Sequence, residues 1–492
     1  MKRVCLLVLC LALTLMGCEA EPAVSDPVSH GDIPQTDVIE RVTTFTLAYN
    51  HDDTLNPYAA ASEANFLLAP LLYDSPVLMG EGLVPQLSLA AAVDTSDPAK
   101  LVMTLRSRTF SDGTAVTAAD VVTSFWQAKA SINYRALLTN VTSATVVGEQ
   151  VVFTLASPDV NGLACLCFPV VKKDTLTTEA ATAPVGSGAY VYQFSDNGAR
   201  LVAAKGVTAA YPTVQLRHLP NSTSMYYALA GGDITYYYTD MDDGELPQRS
   251  GASTAVDTNG LLFLGINSGR GKLADATVRR ALSLLLDRQA ITATTYGGLA
   301  VPSQLPFHPK WQTVAALQLP SAVRDLDGGV SLLDQAGCPA NGGKRLELEL
   351  IYCIDRVDRG GVAELVRTQL EGGGVALTLM GLTEEEYRTR LKKGEYDLYL
   401  GEIRLTADMS LRPLLTAGGD AAYGVNMGGG AVAAYRSYLA GEVTAQEFLQ
   451  TFGAELPFIP LCWRCGFAAY DRRLTVVTPN GTDPYFGLTA WQ

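Results

Sequence analysis

Hydrophobic and polar positions follow two different periods in the first half of the chain. Residues 44–50 alternate with a period of two, which predicts a first β-strand. Residues 118–130 repeat with the helical period, and Thr117 followed by Asp120 is typical of a capping-box start. This half is therefore expected to be α+β with mixed strands. The helix is expected to bury Val121, Val122, Phe125 and Trp126, and further strands are predicted from residue 101, over 146–155 and over 191–194.

In the second half, strands and helices alternate along the chain. A strand over 261–267 ends at Asn267, and Asp275 is expected to open one helix that reaches Ile291. The pattern from residue 346 onward is typical of a βαβ sheet. Its elements are predicted as strands over 346–352, 375–381 and 396–400, with helices over 361–370 and 384–393. Two separate strands are predicted near the end of the chain, over 458–461 and 467–470.

The first 18 residues predict a lipoprotein signal peptide. Lys2 and Arg3 precede an apolar run over 4–16, which is too short to span a membrane. Leu15-Met16-Gly17-Cys18 resembles a bacterial lipobox, so Cys18 is expected to carry the lipid. An ordinary secretory peptide that ends near a cysteine is the alternative. Residues 19–39 are polar and rich in proline, which predicts a tether between the lipid and the folded chain.

Composition narrows the class of protein. A chain of 492 residues with 48% hydrophobic and 17% charged residues can bury a large core and is expected to form two or three domains. Its formal net charge of -14 argues against nucleic-acid binding, which needs a basic surface. No later apolar run reaches the roughly 18 to 20 residues of a membrane span. The lipid on Cys18 is therefore the expected attachment to the cell membrane, on its extracytoplasmic side.

Six cysteines remain once the signal peptide and Cys18 are set aside. An even number permits disulfides, although a chain of this size does not need them to fold. Cys462 and Cys465 form a CxxC motif in a segment predicted to be a strand, where residues three apart face opposite sides. A redox dithiol or a chelate is thus disfavoured, and packed thiols are expected. A zinc site that also uses Cys165 and Cys167 is the alternative.

The sequence lacks the common motifs of catalytic sites. HExxH, GxSxG and a Walker loop do not occur, and the histidines at 30, 51, 218 and 308 lack metal-ligand spacing. No catalytic residue, cofactor or metal site is therefore predicted. A secreted hydrolase with a glycosidase-like pair of carboxylates stays open as an alternative, because separation in space cannot be read from the sequence.

Five motifs in a fixed order carry a resemblance to a known family. They are the LR…FSDGTAVTAADV segment over 105–121, GSGAY over 186–190, ALAGGDI over 228–234, Asn267 with DATVRRAL over 275–282, and PFIPL over 457–461. Together they resemble the bacterial extracellular solute-binding proteins of family 5, a group of oligopeptide, dipeptide and nickel binders. The resemblance spans nearly the whole mature chain, with Ala115 where the family usually has proline.

The resemblance implies an α/β fold of the two-lobed periplasmic-binding-protein type, a clamp with an extra subdomain in lobe I (type II, large cluster C-like). Two crossing strands, near 264–267 and 457–461, would join the lobes, and the ligand would lie between them. The implied lobe I core is 40–57, 180–264 and 459–492, its extra subdomain is 58–179, and lobe II is 265–458.

The resemblance also suggests ligand contacts. Residues 401–408 occupy the place of a family motif whose first aspartate pairs with the α-ammonium of bound peptides, and Asp408 falls on that position. A loop cap is the other interpretation of Asp408, and Arg404 would serve a ligand carboxylate. The motif's aromatic residues are absent, so peptide specificity stays open. Further candidate ligand contacts are Asn50, Asn56, Tyr58, Asn65, Trp126, Tyr134, Tyr423 and Asn426.

The sequence thus predicts a lipid-anchored monomer outside the membrane. It would capture a small ligand, expected to be peptide-like, and deliver it to the permease subunits of an ABC importer. An amino-acid derivative, a sugar and a metal chelate are the other ligands considered. A sensing or adhesive lipoprotein of the same fold is the alternative function.

Overall fold

The computed structural model describes residues 41–241, 244–247, 251–317, 319 and 323–492. The predicted signal peptide, Cys18 and the tether over 19–39 lie outside the described residues. In chain order the strands are β1 (Phe45–Tyr49), β2 (Val77–Met79), β3 (Pro85–Leu87), β4 (Ala90–Asp94), β5 (Lys100–Leu105), β6 (Val141–Val147), β7 (Gln150–Leu155), β8 (Tyr190–Ser195), β9 (Gly198–Ala203), β10 (Thr213–His218), β11 (Tyr236–Thr239), β12 (Ala252–Ile266), β13 (Ala300–Pro302), β14 (Leu346–Cys353), β15 (Val375–Leu382), β16 (Leu398–Arg404) and β17 (Phe458–Tyr470).

The helices are mostly short and flank the sheets. In chain order they are α1 (Glu63–Leu67), α2 (Ala69–Leu72), α3 (Ala118–Ala130), α4 (Ser222–Ala230), α5 (Ala276–Leu285), α6 (Arg288–Tyr296), α7 (Gln312–Ala315), α8 (Leu326–Gln335), α9 (Arg359–Glu371), α10 (Glu384–Lys393), α11 (Arg412–Leu415), α12 (Gly430–Leu439) and α13 (Ala445–Glu455). Within the described ranges, none combines the length and apolarity needed to cross a bilayer.

One hydrophobic core, which we call the N-terminal core, gathers buried residues from 42–256 and from 468–491. It contains one sheet of order β1-β10-β9-β8, in which β1 and β10 are parallel, and an antiparallel sheet of order β4-β5-β7-β6. Helix α3 packs against β6 and β7. Trp491 is fully buried and contacts Phe45 and Tyr236, so the end of the chain returns to this core.

A second hydrophobic core, the central core, draws most of its buried residues from 261–463. Its sheet has the order β11-β17-β12-β16-β14-β15, with β13 paired to β17. Strands β14 and β15 are parallel, as are β14 and β16, and helices α9 and α10 connect them in sequence. The predicted βαβ arrangement is thereby confirmed.

Two long strands, β12 and β17, pass from one core to the other. They pair antiparallel, with Leu264 opposite Ile459 and Ala255 opposite Phe467. Leu264 and Ile459 belong to the central core, whereas Val256 and Ala468 belong to the N-terminal core. The strand pair predicted near 264–267 and 457–461 therefore connects the two cores directly.

Helix α3 begins as the sequence predicts. The hydroxyl of Thr117 accepts the Asp120 backbone N–H at 3.3 Å, and Oδ2 of Asp120 accepts the Thr117 N–H at 3.0 Å. The predicted buried face is confirmed at Val121 and Phe125, but Val122 is only partly buried, and the prediction is wrong at Trp126, which is 47% exposed. Successive helical residues are turned by about 100°, so the buried stripe through Val121 and Phe125 leaves Trp126 at its edge.

Two predicted boundaries also need correction. The single helix expected from Asp275 to Ile291 is broken at Leu286, and Asp287 caps α6 by accepting the Ala290 N–H at 2.8 Å. The two strands expected at the end of the chain are one continuous strand, β17, which pairs with β12 over most of its length. The charged side chain of Arg464 is tolerated within this buried strand because its Nη1 donates to Oε1 of Glu402 on β16 at 3.0 Å.

The CxxC cysteines lie in β17, as expected. Cys462 and Cys465 are both buried and unpaired, and so are Cys165, Cys338 and Cys353, with Cys167 partly buried. Burial raises the pKa of Cys462 and of Cys465, which keeps these thiols protonated and unreactive. Among the described residues, no group of three or more metal-ligating side chains is assembled.

Candidate functional site

A cavity of about 370 Å³ opens between segments of the two cores. We call it the main cavity. The N-terminal side contributes residues from the segments 66–79, 133–137 and 482–486, and the central side contributes Arg404, Leu405, Thr406 and Ala407 at and after the end of β16. Most of its wall is apolar, with polar groups at a few positions, which is the usual make-up of a small-molecule site.

A second cavity, of about 430 Å³, adjoins the first, since Arg404 lines both. It lies where the parallel strands β14 and β16 end, and the start of α10 closes one side. The carboxyl ends of parallel strands are the usual place for ligands in α/β sheets. We call it the arginine cavity because Arg356, Arg359, Arg388 and Arg404 line it, together with Glu384, Glu402 and Asp420.

Two aspartates line the main cavity, and their electrostatic surroundings differ. Asp74 lies 3.5 Å from the Arg108 guanidinium, and burial raises its pKa. Oδ1 of Asp483 accepts the backbone N–H of Tyr485 at 2.9 Å. Burial raises the pKa of Asp483 to about 7. No cationic side chain within the described residues forms an ion pair with Asp483, so its charge is uncompensated by the protein.

Arg404 lies at the end of β16, at the boundary between the two cavities. Its guanidinium forms an ion pair of 2.8 Å with Asp240, which follows β11. The arginine side chain is half exposed. The structure therefore brings Arg404 to the cavities, as the sequence suggested, but directs it to Asp240 for its ion pair.

Asp408 lies behind the cavity wall. Leu405, Thr406 and Ala407 line the main cavity, but Asp408 is not among the described lining residues of either cavity. The Thr406 hydroxyl donates to its carboxylate, and the Cys165 sulfur lies 3.7 Å away. Burial raises the pKa of Asp408 to about 6, and the charge of Asp159 adds to the effect. The role of Asp408 as a ligand contact stays a prediction that this position does not favour.

Asp408 is part of a buried polar contact between the two cores. Arg412 donates to Asp159 at 3.0 Å and to the Ser157 hydroxyl at 2.9 Å. Nearby, the Val160 N–H donates to the Leu439 carbonyl at 3.0 Å, and the Tyr438 hydroxyl lies 3.1 Å from Asn161 Oδ1. Asp159 is thus the ion-pair partner of Arg412, whose charge also acts on the nearby Asp408.

The asparagines near the start of the chain hold loops together. The Asn65 carboxamide accepts the Asn50 N–H at 2.8 Å and donates to three backbone carbonyls. Asn56 donates to the Thr177 carbonyl at 2.7 Å and accepts the Tyr58 N–H at 3.0 Å. The Tyr58 hydroxyl donates to the Pro169 carbonyl at 2.5 Å. Because these bonds occupy them, and the described linings of both cavities omit all four, their predicted ligand contact lacks structural support.

The other candidates divide between the cavities and the surface. Tyr134 lines the main cavity, and Tyr423 lines the arginine cavity. Trp126 is exposed on α3, in neither described lining. Asn426 accepts the Gly428 N–H at 3.1 Å within a turn. Asp74, Arg356 and Asp483 also line the cavities but were not predicted from the sequence. No local pattern indicates that these residues lie at the same site as Arg404.

A buried ion cluster borders the arginine cavity. Glu402 accepts Nη1 of Arg464 at 3.0 and 3.2 Å and also accepts from Arg359. The carboxylate of Asp358 accepts a hydrogen bond from Arg359 and another from the Tyr296 hydroxyl, the latter at 2.6 Å. Burial alone would raise the pKa of Glu402, but the arginine charges more than offset this effect and lower it. The cluster fixes β16, β17 and α9 relative to one another.

The family model for bacterial extracellular solute-binding proteins, family 5 Middle, matches residues 84–419. The chain therefore belongs to the family 5 bacterial extracellular solute-binding proteins. Its architecture, with two cores connected by long strands, is the two-lobed fold of this family, and the resemblance found in the sequence is confirmed. No curated protein matches the chain significantly.

Solved structures show the same fold at low sequence identity. MppA, a periplasmic murein tripeptide-binding protein in an unliganded open form, has a TM-score of 0.75 at 17% identity, over 90% of this chain and 96% of its own. A nickel ABC transporter protein from Bacillus halodurans has a TM-score of 0.73 at 17% sequence identity, and the match covers 90% of this chain and 98% of that protein. An ABC transporter substrate-binding protein from Sinorhizobium meliloti has a TM-score of 0.72 at 21% sequence identity, and the match covers 90% of this chain and 99% of that protein.

Proposed function

We propose that this solute-binding protein captures a small, peptide-like ligand in the main cavity and delivers it to the permease subunits of an ABC importer. The main cavity carries the proposal, because its walls come from both cores and are mostly apolar with a few charged groups. MppA, a similar fold, is a tripeptide-binding protein, and two other similar folds carry the ABC transporter name.

The connection between the cores supports a clamp. β12 and β17 run through both cores, so bending of this strand pair would move one lobe relative to the other. We assign lobe I to the N-terminal core and lobe II to the central core, with the boundaries that the sequence suggested. Closure would bury a ligand between Arg404 to Ala407 and the segments 66–79 and 482–486.

The proposed function can be tested with a variant whose side chain fills the main cavity. Ala136 is an exposed residue of its wall, so Ala136→Trp should occupy the cavity without disturbing either core. Wild-type protein purified without denaturant is expected to show a retained small molecule in native mass spectrometry, and the variant is expected to lack it. Retention of the same molecule by the variant would place the site elsewhere.

We also propose that the lipid on Cys18 holds the protein on the outer face of the cell membrane. Lys2 and Arg3, the short apolar run and the lipobox support this proposal. Cys18→Ser is expected to shift the protein from the membrane fraction to the soluble or unprocessed fraction, because the lipid would be its attachment. Membrane fractionation with immunoblotting checks this, with Cys338→Ser as the matched control. A membrane-bound Cys18→Ser protein of mature size would contradict it.

A further inference from the structure

We propose that Asp483 is the counter-charge for a cationic group of the ligand, so that the cavity selects amines with an apolar body. The inference rests on the proposed function, because it assumes that the main cavity holds the ligand. It moves the expected ammonium contact from Asp408, behind the wall, to a carboxylate of lobe I that lines the cavity itself.

Asp483 is held in place by a tightly bonded loop. The Asn480 carboxamide accepts the backbone N–H groups of Thr482 at 3.0 Å and Asp483 at 2.8 Å, and it donates to the Met79 carbonyl at 3.0 Å. Gly481 approaches β12 so closely that a Cβ would lie 1.9 Å from the Asp257 carbonyl oxygen. The carboxylate is thus presented from a fixed position beside the strands that connect the lobes.

Among the described residues, the charged groups around the cavity leave Asp483 without a cationic partner. Asp74 is paired with Arg108, and Arg404 is paired with Asp240. The other titratable groups on which the charge of Asp483 acts are Tyr236 and Tyr485. Tyr236 donates its hydroxyl to the Pro484 carbonyl at 2.8 Å, so it is used elsewhere. An ionised carboxylate that is partly buried and lacks a cationic partner is unfavourable unless a ligand cation reaches it.

The rest of the wall defines the other part of the ligand. Phe66, Leu78, Met79, Leu137 and Phe486 line the same cavity. An apolar body against these side chains is stabilised by removal of its surface from water, while the carboxylate orients the cationic end. The wall chemistry therefore fits a hydrophobic primary amine, such as the amino-terminal end of a short apolar peptide.

Binding of such a cation should be coupled to loss of a proton. Burial raises the pKa of Asp483 to about 7 in the empty cavity, and an ammonium beside it would lower that pKa. The ionised form binds the amine, so affinity is expected to fall as the pH drops below about 7, by up to about tenfold per pH unit. Above that pH the affinity should pass through a maximum and fall again as the pH exceeds about 8, where an α-ammonium loses its proton.

Isothermal titration calorimetry with leucyl-leucine and N-acetyl-leucyl-leucine tests the inference. Wild-type protein, freed of retained ligand, is expected to bind leucyl-leucine at least about thirtyfold more tightly than the acetylated peptide. Near pH 7 the binding should release protons, seen as heats that depend on the buffer. Asp483→Asn should remove both the preference and the proton release, while the exposed Asp196→Asn should retain them. Asparagine can still accept the Tyr485 N–H, so the loop should persist.

The outcomes separate the two proposals. If wild-type protein does not bind leucyl-leucine, or if Asp483→Asn binds it within about threefold of wild type, the amine proposal is overturned. If in that case native mass spectrometry still shows a retained molecule that Ala136→Trp loses, the proposed function stands. If no molecule is retained in the main cavity and none of the peptides binds, both proposals fail.

Discussion

Replacing Glu402 by glutamine is expected to lower the free energy of unfolding by about 3 to 5 kcal/mol. Glu402 is the carboxylate between Arg359 and Arg464, whose side chains are almost fully buried. Removing its charge leaves these guanidinium groups with Asp358 as their remaining carboxylate partner among the described residues. Loss of one partner of a buried ion pair costs far more than loss of an exposed pair.

Urea unfolding of wild-type protein and Glu402→Gln, followed by fluorescence, measures this effect. The matched control is Glu364→Gln, since Glu364 and Arg367 form an exposed ion pair three residues apart on α9. The control is expected to change stability by less than about 1 kcal/mol.

The contribution of Glu402 should also disappear in acid, because the pKa of Glu402 is lowered in the folded state. It should be present above the unfolded pKa and lost as the pH falls through the folded one. Similar, small effects of both variants would mean that the cluster is not a stabilising centre.

The second large effect is expected for Asp408→Asn, which should raise the free energy of unfolding, whereas Glu402→Gln lowers it. Burial raises the pKa of Asp408 to about 6, so the folded protein binds its proton more tightly than the unfolded chain, where an aspartate has a pKa of about 3.9. Stability should therefore decline as the pH rises from about 4 to about 6 and then level off. Asp408→Asn removes that decline, and at pH 8 it should be more stable than wild type by about 2 to 3 kcal/mol.

Differential scanning calorimetry of wild type and Asp408→Asn at several pH values checks this prediction. The two proteins should unfold at similar temperatures near pH 4 and diverge by pH 8. Asp159→Asn serves as the comparison, because removing the charge of Asp159 should lower the pKa of Asp408 and move the decline in stability to lower pH. Lower stability of Asp408→Asn at pH 8, together with weaker ligand binding, would restore Asp408 as a ligand anchor.

Local patterns predicted much of the fold. The capping box of α3 and the elements from β14 to β16 involve residues close in sequence, and the helical or strand period marks each of them. The break before α6 and the continuity of β17 were missed. Arg464 interrupts the apolar pattern of β17, and its neutralisation by Glu402 depends on a residue 62 positions away. Such a compensation is visible only after the strands have been placed side by side.

The site was less predictable than the fold. Arg404, Tyr134 and Tyr423 reach the cavities as the sequence reading suggested. Asp408 does not line either cavity in the described structure, because the chain turns after Ala407 and directs the carboxylate toward Cys165. Asp483 belongs to the loop that follows β17, and only the return of this segment to the N-terminal core brings it into the cavity that Arg404 also lines. No spacing in the sequence encodes that approach.

Native mass spectrometry of two tryptophan variants shows whether the main cavity holds the ligand. Ala136→Trp fills the main cavity, whereas Ala433→Trp places the same side chain on the exposed surface of α12. A solute-binding protein that holds its ligand between the lobes predicts that wild type and Ala433→Trp carry the same small molecule and that Ala136→Trp carries none. An empty wild-type protein, or equal retention by both tryptophan variants, would contradict ligand binding in the main cavity.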